Sequence, residues 1–387
     1  MRFEFATDNR IIFGPGTLKE VAPLAAEMGR RPLVVADSSV ERAAPLLDQL
    51  QAQGLVSTIF AVAEEPTTDL IAAGVKQARV FDCDFVIGLG GGSVVDTGKA
   101  IAALLTNAGD VLDYLEVIGQ GKKLAEPPVP YIAIPTTAGT GAEVTRNAVL
   151  ASPEHRVKVS LRSPLMLPRL AVVDPELTYS MPPSVTASTG LDALTQVMEP
   201  YVSINANPLT DTLALEGMQR AAHSLHQAYK DGNDTAARED MAIASLFGGL
   251  ALANAKLGTV HGFAGVMGGM YPTAPHGVIC ARLLPHVMEA NVRALQTRVP
   301  DSPALKRYED VAQLLTGRVT AATVDGVDWV QNLCQTLSVP PLTEFGLAEK
   351  DFVDIVSKTE NASSTKGNPI VLTTEELIDI LYAELNA

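Results

Sequence analysis

Hydrophobic and polar positions follow two alternating rhythms through the first half of the chain. Short β-branched runs, RPLVVADSS, VSTIFAVA and FDCDFVIGLGGGS, each give way to a stretch of helical period: ERAAPLLDQLQAQG, TTDLIAAGVKQARVFD and VVDTGKAIAALLTN. The runs read as strands because β-branched residues fill them and turn residues close them. PVPYIAIPTTAGTG repeats the sequence of strand and small-residue loop, and RLAVVDPELTYSMPPS supplies a last strand and a proline-marked exit. Strands separated by helices imply right-handed crossovers and a mostly parallel sheet.

From about Met181 the rhythm is helical throughout, as in MAIASLFGGLALANAKLG, HGVICARLLPHVMEANV, YEDVAQLLTG and TTEELIDILYAEL. The pattern predicts an α/β domain over residues 1–180 and an all-helical domain over 181–387. Two domains also suit the length, which exceeds what one simple core serves. TGLDALTQ, following MPPSVTAS, reads as the start of a buried helix on which Asp192 and Gln196, four apart, share a face.

Two loops at predicted strand ends carry the first chemistry. Gly88, Gly90, Gly91 and Gly92 precede Ser93, with Asp96 and Lys99 on the helix that follows. Glycines there let backbone N–H groups approach a phosphate, and a helix N-terminus favours an anion. The second loop, PTTAGTGAEVT, offers the hydroxyls of Thr136, Thr137, Thr140 and Thr145 to phosphate or ribose; Lys158 could add positive charge. Asp37 closes the first clear strand roughly fifty residues ahead of Gly90, so the usual dinucleotide spacing fails. The parts can still meet across parallel strand ends. A carboxylate at such an end binds a ribose diol and repels a 2′-phosphate, favouring NAD over NADP.

Charge and composition narrow the partners. Lys and Arg number 29 against 44 Asp and Glu, a formal net charge of -15. Nucleic acids and anionic membranes demand a basic footprint, so neither is an expected partner. No 18-residue apolar stretch free of charge reads as a membrane span, and MRFEFATDNRIIF lacks the layout of a signal peptide. Cys83, Cys280 and Cys334 are scattered and odd in number, giving neither a disulfide framework nor a CxxC pair. A cytoplasmic protein is expected.

Five motifs then combine in order: FGPGTL at 13–18, GLGGGSVVDTGKA at 88–100, PTTAGTGAEVT at 135–145, MPPSVTASTGLDALT at 181–195 and TAPHGVICARLLPHV at 273–287. Together they resemble the iron-containing (group III) alcohol dehydrogenase family, related to glycerol dehydrogenase and dehydroquinate synthase. The resemblance implies a dehydroquinate-synthase-like fold, an NAD-binding and a catalytic domain with a cleft between them, and often a homodimer. It assigns Asp37 to the adenosine ribose, Gly91, Gly92 and Ser93 to the pyrophosphate, and Thr136, Thr137, Thr140, Thr145, Lys158 and Leu177 to the cofactor's surroundings; Gly90 and Asp96, from the same loop and helix, are further cofactor-binding candidates.

The family binds iron, sometimes zinc, through one Asp and three His, the first two as DxxxH. Asp192, His261 and His276 match three of these ligands, but Gln196 stands where a histidine is expected; its amide oxygen is a weaker donor. Gly265 replaces a histidine linked to proton relay, and His261 and His276 lie fifteen apart, one more than usual. The expected chemistry is hydride transfer between NAD and a small alcohol or its carbonyl partner, with Asp192, His261 and His276 catalytic and a divalent metal assisting. Alternatives are a lyase or cyclase using NAD transiently, a metal-independent reductase in which the histidines donate to the carbonyl oxygen, and a non-enzymatic member with a degenerate site.

Overall fold

The computed structural model describes residues 2–63 and 65–387, and of Val40 the backbone alone. The chain divides into two compact units, one of Thr7–Thr137 with Gly141–Tyr179, the other of Ser180–Ala387 with Ala138–Thr140 and the N-terminal piece up to Ala6.

Among the described residues the first unit is built on eight strands: β1 (Ile11–Phe13), β2 (Pro32–Asp37), β3 (Thr58–Val62), β4 (Phe85–Gly90), β5 (Tyr131–Pro135), β6 (Asn147–Ser152), β7 (Val157–Arg162) and β8 (Leu170–Val173). Six of them form one sheet in the order β1-β8-β5-β4-β2-β3, with every neighbouring pair parallel. Between them run α1 (Val21–Ala26), α2 (Val40–Ala52), α3 (Thr68–Val80), α4 (Gly92–Thr106) and α5 (Val111–Tyr114).

Strand alternation sorts side chains between two apolar layers. Leu33, Val35, Val86 and Ala133 face a core shared with Ile71 and Val75 of α3 and Val95 and Ile101 of α4. Val34, Ala36, Ile87, Ile132 and Ile134 face the other way, onto Val21 and Ala25 of α1 and Leu46 and Leu50 of α2. A parallel sheet covered on both faces explains why these strands read as continuous apolar runs.

Register sets the loops that follow. Ala36 pairs with Leu89 and Gly90 with Pro135, so β2, β4 and β5 end level with one another. The chain runs outward from β2 to β3 and returns to β4 on the other side of β2, a topological switch where α/β sheets bind ligands. The FGPGTL turn is held by Asp174, whose carboxylate accepts from the backbone N–H groups of Gly16 and Leu18 at 3.1 and 3.0 Å. β6 and β7 make a separate antiparallel hairpin.

The second unit is helical: α6 (Pro183–Val202), α7 (Pro208–Lys230), α8 (Thr235–Ala255), α9 (Thr259–Met270), α10 (His276–Arg298), α11 (Pro303–Thr316), α12 (Thr323–Thr336), α13 (Phe352–Asn361) and α14 (Thr374–Leu385). Helix α6 starts at Pro183, so TGLDALTQ occupies its middle rather than its start; proline is at home in a first turn. Nearly every α6 side chain from Thr186 to Val202 is buried, because α7, α8 and α10 all pack against it. No single helix among the described residues is long and apolar enough to cross a membrane; α8 and α9 reach that measure only jointly and are bent by 101° at their break.

Candidate active site

Helix α6 carries Asp192 and, one and two turns on, Gln196 and Glu199, all buried. Helix α9 brings His261 in its first turn, and α10 opens on His276 with Cys280 one turn later. Gly277 permits the approach of α10 to α6: a β-carbon there would lie 2.0 Å from the carbonyl oxygen of Ser188.

Four donor groups converge. His261 Nε2 lies 3.3 Å and His276 Nε2 3.9 Å from Asp192 Oδ1. Cys280 Sγ lies 3.8 Å from His261 Nε2 and 3.7 Å from His276 Nε2. All four ligand atoms fall within 4.8 Å of one another. A tetrahedral ion with N, O and S donors at about 2.0–2.3 Å leaves neighbouring donors about 3.3–3.6 Å apart, so the set fits a divalent cation. The five-residue connection from Tyr271 to Pro275 absorbs the longer His261–His276 spacing, for both rings still reach Asp192.

Glu199 fixes His261 from behind. Its Oε2 lies 2.6 Å from His261 Nδ1, and its Oε1 accepts from the backbone N–H of Val260 at 2.8 Å. A carboxylate on Nδ1 holds the proton there and leaves Nε2 free to ligate. Gln196 is engaged as a donor: its Nε2 gives a hydrogen bond to the carbonyl of Gly139 at 2.9 Å, and the side chain also hydrogen-bonds the Asp192 carboxylate.

The electrostatics are mutual. Burial works to raise the pKa of Asp192, but the hydrogen bond from His261 and the charges of His276 and His261 hold it below the usual carboxylate value. Burial opposes charge on the histidines too, yet Cys280 and the facing carboxylates raise His276 and lift His261 well above ordinary imidazole. Cys280 is driven down by the two histidines against the cost of its burial. Each of these shifts favours the charged form of its group against the cost of burial.

Sequence reasoning named Asp192, His261 and His276, and these meet. It missed Glu199 and Cys280. Both carried a helical signal: Glu199 stands seven residues after Asp192 on one face, and Cys280 four after His276. Gly265, one turn after His261, has open space where a side chain would begin. His286 sits 3.7 Å from Glu384, while His155, His223 and His226 are exposed.

The nucleotide-loop residues collect in the first unit, apart from Thr140, which belongs with the helices. Gly91 is the N-cap of α4, no side chain caps that helix, and Gly92 and Ser93 form its open first turn. A β-carbon on Gly91 would touch Thr137 at 3.4 Å, and Thr136 N–H donates to Gly90 at 3.0 Å, so the two loops lie side by side. Asp37 accepts from Ser39 N–H at 2.8 Å and pairs with Arg42 at 3.3 Å. Asp96 accepts from Val149 N–H at 2.9 Å and meets buried Lys99, which also donates to Thr145 Oγ1 at 2.9 Å. Lys158 pairs with Glu65 at 3.2 Å, and Leu177 packs on the apolar layer of α1 and α2.

Comparison with known proteins gives this arrangement a context. Residues 8–175 match the model of iron-containing alcohol dehydrogenases, and 186–385 that of the C-terminal part of the same family. The chain is 36% identical over 375 residues to alcohol dehydrogenase 4 of Saccharomyces cerevisiae, covering 95% of each. It is similar to the crystal structure of a 1,3-propanediol oxidoreductase, with a TM-score of 0.91, 32% identity and coverage of 99% of this chain and 100% of that one. It is also similar to the sulfoacetaldehyde reductase of Bifidobacterium kashiwanohense in complex with NAD+, with a TM-score of 0.86, 29% identity and coverage of 99% and 98%.

Proposed function

Because the chain belongs to the iron-containing alcohol dehydrogenase family, we propose that it is an NAD-dependent oxidoreductase interconverting a small alcohol and its aldehyde or ketone. The convergence of Asp192, His261 and His276 on one point, with only His276 partly exposed, carries this reading. When bound there, a divalent ion supplies Lewis acidity toward the alcohol or carbonyl oxygen. NAD supplies the hydride acceptor.

The chain's residues do the rest. Asp192, His261 and His276 hold the ion, and Glu199 keeps the His261 proton on Nδ1. Gln196, expected as a ligand, holds Asp192 in place through its amide. The glycine loop from Gly90 to Ser93 takes the pyrophosphate at the α4 N-terminus, with Thr136, Thr137, Thr140 and Thr145 around it. Asp37 takes the adenosine ribose. Lys158 and Leu177 flank the cofactor, and Asp96 steadies the loop through Val149. Residues 1–180 then form the NAD-binding domain and 181–387 the catalytic one.

We further take the protein to be a cytoplasmic homodimer. Free cysteines support the compartment, and the family resemblance supports the assembly. Light scattering on the purified protein reads the assembly directly.

The activity is tested by NADH formation over a panel of short alcohols and diols, with His261→Ala and Asp192→Ala beside the wild type. Turnover of at least one alcohol, lost in both variants, is expected. A wild type that binds NAD but turns over no alcohol or aldehyde contradicts the reading.

A further inference from the structure

We propose that the Cys280 thiolate is a fourth protein ligand of the metal, beside Asp192, His261 and His276, and that it biases the site toward zinc. This rests on the metal reading above and specifies its donor set.

Three observations carry it. Cys280 Sγ stands at 3.8 and 3.7 Å from the two histidine Nε2 atoms, close to the spacing of neighbouring donors on one ion. It is fully buried on the helix that begins with His276, so its position is fixed by the same backbone that fixes a ligand. Gln196, by contrast, is committed as a donor. Its Nε2 donates to the Gly139 carbonyl at 2.9 Å and the side chain also hydrogen-bonds Asp192, so the amide is engaged in two contacts within the protein.

The exchange changes the chemistry of the centre. Asp192 and Cys280 bring two negative charges to a dication, where one carboxylate with neutral imidazoles leaves a net positive charge. Sulfur is a soft donor, and soft donors favour zinc over ions that prefer oxygen and nitrogen alone. Loss of histidine at position 196 is thus offset from a different helix.

X-ray absorption at the zinc edge of the intact reconstituted protein tests this. One sulfur at about 2.3 Å beside nitrogen and oxygen at about 2.0–2.2 Å is expected. That sulfur should vanish in Cys280→Ser and Cys280→Ala and persist in Gln196→Leu and Cys334→Ser. Zinc retention should fall by about tenfold or more in the two Cys280 variants and stay within a few-fold in Cys334→Ser. The cobalt-substituted wild type should show a thiolate charge-transfer band that Cys280→Ser lacks. A wild-type shell of nitrogen and oxygen only overturns the assignment while leaving the metal reading intact, and it does so without any variant. A sulfur that survives Cys280→Ser overturns it too. Failure of the wild type to bind zinc or iron at all removes both.

Discussion

Asp37 ends its strand within 3.3 Å of Arg42, and the proposed ribose contact turns on that pair. With the carboxylate present, a 2′-phosphate meets a negative charge; without it, the freed guanidinium becomes a phosphate partner. Asp37→Gly is expected to shift the ratio of kcat/KM for NADP over NAD upward by about tenfold or more, read from initial rates with each cofactor. An unchanged ratio would remove Asp37 from the ribose. Asp8 poses a different problem. It is buried, both carboxylate oxygens lack a hydrogen-bond partner among the described residues, and burial raises its pKa from 3.8 to about 8. The native state therefore keeps a proton that the unfolded chain releases, and stability is lost as pH rises through that window. Asp8→Asn should raise Tm relative to wild type more at pH 8 than at pH 5; equal shifts at both would contradict the assignment. At this scale the sequence disclosed Asp192, His261 and His276, which match a family pattern and meet in the structure. It concealed Glu199 and Cys280, because a helix position says which face a residue shares and not which other helix meets that face.

Among the elements, α10 and α4 place the chemistry. Gly277 lets the start of α10 sit on α6, so Gly277→Ala is expected to destabilise by about 1–3 kcal/mol and to weaken metal retention together. Denaturant unfolding and elemental analysis of the same preparation check both; retained metal at wild-type stability would contradict the packing argument. Helix α4 is tied to β6 through Asp96 and Lys99, a pair almost wholly out of solvent. Lys99→Met leaves the Asp96 carboxylate without its partner and should cost about 3–5 kcal/mol in urea unfolding. Five of the six parallel strands were legible as apolar runs closed by turn chemistry, since both faces of the sheet are covered; β1, only Ile11–Phe13, was too short to read. The β6–β7 hairpin was not. On β6 the outward Val149 and Ala151 are as apolar as the inward positions, and the turn from Pro153 to Arg156 has no glycine, although β7 alternates apolar and polar as VKVSLR.

Across the whole molecule, composition and motif order gave the broad class early. A charge of -15 and two glycine- and threonine-rich loops pointed to a small-molecule enzyme with a nucleotide. The donor cluster was the hardest part to read, because a glutamine in one motif says nothing about which side chains other helices bring to it. The proposed reaction needs that centre and NAD together. Its most direct test is a titration of the chelator-stripped protein with zinc, and separately with iron, following NADH formation from a short alcohol against metal bound. Activity should rise in proportion to metal and level off at one ion per chain. Full NAD-dependent activity in protein stripped of metal would contradict it.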